Sequence, residues 1–75
     1  MARTSRRFVV CLTSEGYEVS LERRKIYVAL PNESAAKHRL LRVIDESGED
    51  YLYPAAMFVG VELPRSLRRA MLAAA

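Results

Sequence analysis

The chain has 75 residues, 51% of them hydrophobic, and a formal net charge of +3, which suits one small folded domain. A domain of this size buries only about 60% of the surface its unfolded chain exposes, so the core is small and there is no room for a second lobe with a deep cleft between the two. One cysteine, Cys11, allows no internal disulfide, and that favours a reducing compartment.

The start, "MARTSRRFVVCL", has arginines followed by apolar residues. Its uninterrupted apolar run, "FVVCL", is only five residues long, too short for the apolar core of a secretory leader. No stretch approaches the length of a membrane span. The expectation is a cytoplasmic, soluble protein with no membrane partner. Charge is unevenly placed. Arg3, Arg6 and Arg7 stand before the first apolar run, and Arg65, Arg68 and Arg69 stand near the other end, without an acid in either segment. Residues 8–63 hold six basic residues and all nine acids, so the body is slightly acidic and the tails are basic.

In chain order, "FVVCLTS" (Phe8–Ser14) is β-rich and ends at a Ser-Glu-Gly turn signal. "YEVSLERR" alternates, with Val19 and Leu21 on one face and Glu18, Ser20 and Glu22 on the other, which predicts a half-buried strand. "KIYVAL" places Ile26, Val28 and Leu30 at period two and stops at Pro31. "PNESAAKHR" is too short for an independent helix; Asn32 or Ser34 would cap one helical turn within a loop. "LLRVID" resumes β character, with Leu41 and Val43 opposite Arg42.

"DESGED" is a tight hairpin signal in which Gly48 supplies the positive φ. "YLY" continues as a strand to Pro54, "PAAM" makes a single helical turn and "FVGVEL" closes the sheet, with Leu52 and Phe58 as core residues. Pro64 can open a short C-terminal helix in which Leu67 and Met71 lie four apart. The expected organisation is a basic tail over residues 1–7, a β domain over 8–63 and a short helix over 64–75. Short strands joined by brief turns in so small a chain predict a mostly β fold, a strongly bent five-stranded small barrel with one short helical turn.

These segments resemble the Src-homology-3-like barrel over residues 8–63. "EVSLERRKIYVAL" looks like that family's passage from its first long loop into the second strand, and "YPAAMF" like its strand, tight turn and last strand. "DESGED" falls at the family's distal hairpin, and "PNESAAKHR" at the loop between its second and third strands. The chain also resembles a group of short bacterial proteins of uncharacterised function that carry "SGEDYLYPA..F". It departs from the peptide-binding members: "VVCLTSE" lacks their aromatic run, there is no tryptophan, and Met57 stands where they have tyrosine. The resemblance therefore implies the fold without an aromatic groove for proline-rich helices.

Several residues invite a functional reading. Tyr51 and Tyr53 share a strand face and, with Tyr27, Pro54 and Met57, would form an aromatic patch for a protein partner. Leu67 and Met71 would offer a second docking stripe, for a partner or another copy of the chain. Asp45, Glu46, Glu49 and Asp50 lack calcium-loop spacing and read as solvated hairpin charges. His38 and Cys11 have no further ligands or orienting group in sequence, so no metal, cofactor or catalytic residue is expected. The leading expectation is a non-enzymatic interaction module. The alternative is an accessory nucleic-acid or ribosome-associated protein. In a barrel of this kind the first and last strands pair, which would gather Arg3, Arg6, Arg7, Arg65, Arg68 and Arg69 into one phosphate-binding cluster.

Overall fold

A computed structural model describes residues 6–74. The elements in order are β1 (Arg7–Cys11), β2 (Ile26–Leu30), α1 (Glu33–Lys37), β3 (Leu40–Ile44), β4 (Asp50–Pro54), a 3₁₀ turn (Ala55–Met57), β5 (Phe58–Val61) and α2 (Arg65–Ala74). The five strands form one antiparallel sheet in the order β4-β3-β2-β1-β5. The mostly β fold is thus as expected, and so are the helical turn before β3, the 3₁₀ turn and the C-terminal helix.

Closure into a barrel is not. β4 and β5 are the two edges of the sheet and are not hydrogen-bonded to each other. Pro54 has no N–H to extend the ladder, and the 3₁₀ turn that follows diverts the chain. The edges are tied by side chains instead: the Tyr53 and Phe58 rings meet edge to face with centroids 6.2 Å apart.

β1 shares its bonds by parity. Cys11 N–H donates to the Lys25 carbonyl at 2.9 Å, and Leu12 N–H to the Met57 carbonyl at 2.7 Å. Odd residues of β1 therefore bond β2 and even ones bond β5. Side chains separate the same way. Val9, Cys11, Tyr27, Ala29, Val43, Tyr53, Met57 and Phe58 make the core with Leu21 from the β1–β2 loop, and Leu41 packs against it. The other face carries Phe8, Val28 and Ile44 in one cross-strand row, with Val10 and Ile26 beside them. Met71 of α2 lines the same depression as Ile26, Val28 and Ile44. Arg68 lies over the Phe8 ring, 5.2 Å from its centroid. Ile26, Val28 and Leu30 do share a face, but it is not the face of the main core. β2 is apolar on both sides because the sheet is covered on both.

Two further expectations are corrected. "YEVSLERR" is not a strand: residues 17–24 run through successive turns, Tyr17 N–H bonding the Ser14 carbonyl and Leu21 N–H the Tyr17 carbonyl. Leu21 still reaches the core, whereas Val19 is 96% exposed. On β4 it is Tyr53 that is buried, while Leu52 is 43% exposed, so Leu52 is no core residue. Leu41 and Val43 face inward opposite Arg42, as the sequence implies, and Arg42 bonds Asp50 across the hairpin at 2.7 Å. Among the described residues no helix is long and apolar enough to cross a membrane.

Candidate functional site

Two regions gather chemistry-bearing side chains. The first lies between the β1–β2 loop and the β3–β4 hairpin. Gly48, at φ 86°, makes the hairpin turn, and its N–H donates to the Asp45 carbonyl at 3.0 Å. The Asp45 side chain holds the turn from within. Its Oδ1 accepts from Ser47 N–H at 2.9 Å and Ser47 Oγ at 2.6 Å, and its Oδ2 accepts from Tyr53 Oη at 2.6 Å. Burial pushes this carboxyl up, but the Ser47 and Tyr53 donors outweigh burial and hold it below the usual range. Tyr53 is pushed the other way, by burial and by its bond to that carboxylate.

The next residue fastens the loop. Glu46 N–H donates to the Ser20 carbonyl at 3.0 Å. Its carboxylate accepts from Tyr27 Oη at 2.6 Å and pairs with Lys25 at 2.7 Å. The Tyr27 oxygen in turn accepts from Glu22 N–H at 2.6 Å. Lys25 and Tyr27, both bonded to Glu46, hold its carboxyl below its ordinary value. These bonds bring Tyr17 and Ser20 beside the hairpin. Tyr17, Ser20, Asp45, Ser47, Tyr51 and Tyr53 line a depression of about 310 Å³. The Tyr17 and Tyr53 rings stand at 84° with centroids 5.1 Å apart, and Tyr51 donates to Glu49 at 3.1 Å.

The proposed aromatic patch is therefore redistributed. Tyr27, Tyr53 and Met57 are buried, Pro54 is half-buried, and only Tyr51, at 50%, is well exposed. Tyr27 and Met57 do not reach the surface because the core of so small a sheet absorbs them. Tyr17, 40% exposed, was missed. Its one sequence signal is its place after Gly16 in a turn that the alternating pattern disguises as a strand.

The second region is the end of the molecule where the chain termini meet. Because β1 pairs with β5, Arg6 and Arg7 emerge beside the start of α2. Arg68 fixes the contact: its Nη2 donates to the Arg6 carbonyl at 2.9 Å while its guanidinium covers Phe8. Arg7 and Arg68 share a depression of about 390 Å³ with Gly60, Glu62 and Leu63. Arg65, Arg68 and Arg69 line another with Leu72. Among the described residues the ion pairs are Lys25–Glu46 and Arg42–Asp50, so these arginines are not spent on internal carboxylates. Arg3 lies outside the described residues. On α2, Leu67 is 46% exposed, whereas Met71 is half-buried against the sheet.

Cys11 is fully buried, its Sγ donating to the Thr13 carbonyl at 3.1 Å, and burial raises its thiol. His38 is exposed at the end of α1, its Nδ1 3.0 Å from the Ser34 carbonyl. The two are not brought together. Compared with models of known protein families, with curated proteins and with solved structures, the chain matches none.

Proposed function

We propose that the protein is a non-catalytic binding module that holds the phosphate backbone of a nucleic acid on its arginine end. The observation that carries this reading is the placement of Arg68, bonded to the Arg6 carbonyl and stacked on Phe8, which joins both basic segments on one side of the sheet. Arg6, Arg7, Arg65, Arg68 and Arg69 then present guanidiniums over a short span. Their fork geometry suits phosphate oxygens, and an always-charged group loses little by being held in place. The strand order and the turn before β5 also accord with the Src-homology-3-like resemblance, although a fold of that kind assigns no role by itself.

Binding of this type weakens steeply with salt, because each neutralised phosphate releases counterions. Fluorescence anisotropy on single- and double-stranded oligonucleotides tests it. The expected result is a log–log salt slope of about −0.7 to −0.9 per phosphate contact, reduced by about two contacts in the double variant Arg65→Ala/Arg69→Ala. Both side chains are exposed, so the variant keeps the fold. Absence of binding at low salt, or an unchanged slope in the variant, overturns the reading.

A second reading, docking of a protein partner or a second copy on α2, is favoured by the exposure of Leu67. Leu67→Ser, which changes no charge beside the arginines, separates the two: it abolishes co-purification or self-association if that docking operates, and leaves nucleic-acid binding intact.

A further inference from the structure

The tyrosine-lined depression between the β1–β2 loop and the β3–β4 hairpin is a surface of the opposite kind, acidic and aromatic where the chain ends are basic. Tyrosine rings carry negative electrostatic potential on their faces, and two exposed rings, Tyr17 and Tyr51, line this wall, with the buried Tyr53 ring bracing Tyr17 at 84°. Asp45, in the same wall, is a buried carboxylate held ionised by hydroxyl and amide donors. Among the described residues it has no cationic partner: the ion pairs there use Glu46 and Asp50 instead. Glu49 adds a further negative charge at the rim, bonded to the Tyr51 hydroxyl.

Among the described residues the cation–ring contacts lie elsewhere. Lys25 lies 5.7 Å from the centroid of Tyr27, and Arg68 5.2 Å from that of Phe8. Neither of these cation–ring contacts involves Tyr17, Tyr51 or Tyr53. Aromatic walls around an ionised carboxylate, with no internal cation on them, form the setting in which ammonium and guanidinium groups are recognised. The volume, about 310 Å³, has room for such a head group together with part of its aliphatic stem.

We propose that this depression binds a basic side-chain head group, the guanidinium of an arginine or the ammonium of a lysine, presented by a protein partner. The rings supply cation–π attraction, Asp45 and Glu49 supply charge, and Ser20 and Ser47 supply neutral oxygens at the rim. This site is independent of the arginine end and stands whether or not nucleic acid binds there.

The test is an amide-resolved NMR titration of the full chain with three probes: N-acetyl-arginine amide, N-acetyl-lysine amide and the neutral isostere N-acetyl-norleucine amide. The expected result is a saturable shift at Tyr17, Ser20, residues 45–47 and Tyr51 with the two cations and none with norleucine. Tyr51→Ala, at an exposed ring, weakens the cations about two- to fivefold. Glu49→Gln weakens them in the same direction, and tetramethylammonium chloride competes for the same resonances. Equal shifts with norleucine, shifts confined to other residues, or undiminished affinity in Tyr51→Ala would overturn the proposal. Tyr17→Ala removes a ring packed on Tyr53; should it fail to fold, Tyr51→Ala alone decides.

Discussion

Tyr53→Phe isolates the bond that ties β4 to the hairpin carboxylate. It removes one hydroxyl and leaves the ring in its place in the core, where it packs on Tyr17 and Phe58. Asp45 keeps its two Ser47 donors and loses the third, at 2.6 Å, on Oδ2. A hydrogen bond to a charged group is worth about 1.5–3 kcal/mol, so the expected loss at pH 7 is about 2 kcal/mol. For a domain of this length that is a fall in Tm of roughly 8–16 °C.

The pH dependence identifies the cause. The folded-state pKa of Asp45 is depressed, so its contribution is present above the unfolded value of about 3.9 and is lost as pH falls through the folded value. Without the Tyr53 hydroxyl that depression shrinks. The stability difference between wild type and variant should therefore narrow as the solution is acidified from pH 7 to about pH 2.5. Urea unfolding at several pH values, with the Asp45 carboxyl carbon followed by NMR, measures both quantities. A difference that stays constant over this range, or an Asp45 titration unmoved by the substitution, would show that the hydroxyl is not acting on the charged form.

Two glycines should respond in opposite directions. Gly48→Ala places a β-carbon at φ 86° and should cost about 1 kcal/mol, although nothing lies within 4 Å of the added atom. Gly60→Ala, in the edge strand β5, also meets nothing within 4 Å and has no left-handed φ. It should stabilise by about 0.5 kcal/mol through the unfolded chain, read as a rise in Tm of a few degrees. A loss at Gly60 would show that something closes over that edge. Cys11, fully buried with its thiol raised by burial, should not react with an aromatic disulfide reagent in native buffer and should react completely in urea. Rapid labelling of the native protein would contradict the packing of β1 against Phe58.

What the sequence made legible is what local chemistry decides. The acidic Ser-Gly pair could only turn, and Gly48 does. Arg42 between Leu41 and Val43 fixes the phase of β3, because a guanidinium in so small a core would have no partner. Pro54 ends a strand wherever the ladder needs an N–H. Elsewhere tertiary bonds overrode the pattern. "YEVSLERR" has the alternation of a strand, yet Glu22 N–H is taken by the Tyr27 hydroxyl and the Ser20 carbonyl by Glu46 N–H, so the segment is held as a loop across the sheet. The phase of β4 could not be read from "YLY", in which every residue is apolar or aromatic. The choice falls to the Tyr53 hydroxyl, which reaches Asp45 only when Tyr53 points inward, and this turns Leu52 out.

The same reasoning explains why the aromatic residues are dispersed while Arg6 and Arg7 lie beside α2. Tyr27 and Tyr53 bury their rings because each hydroxyl finds a carboxylate eight or more residues away, Glu46 for one and Asp45 for the other. Residue spacing within "YLYPAAMF" carries no trace of those partners. The arginines needed only a topological fact, that the first and last strands are neighbours, and the order β1–β5 supplies it. Surfaces built from chain ends follow from connectivity. Surfaces built from amphipathic rings depend on hydrogen bonds that link distant turns, and Tyr17 entered the cleft by that route.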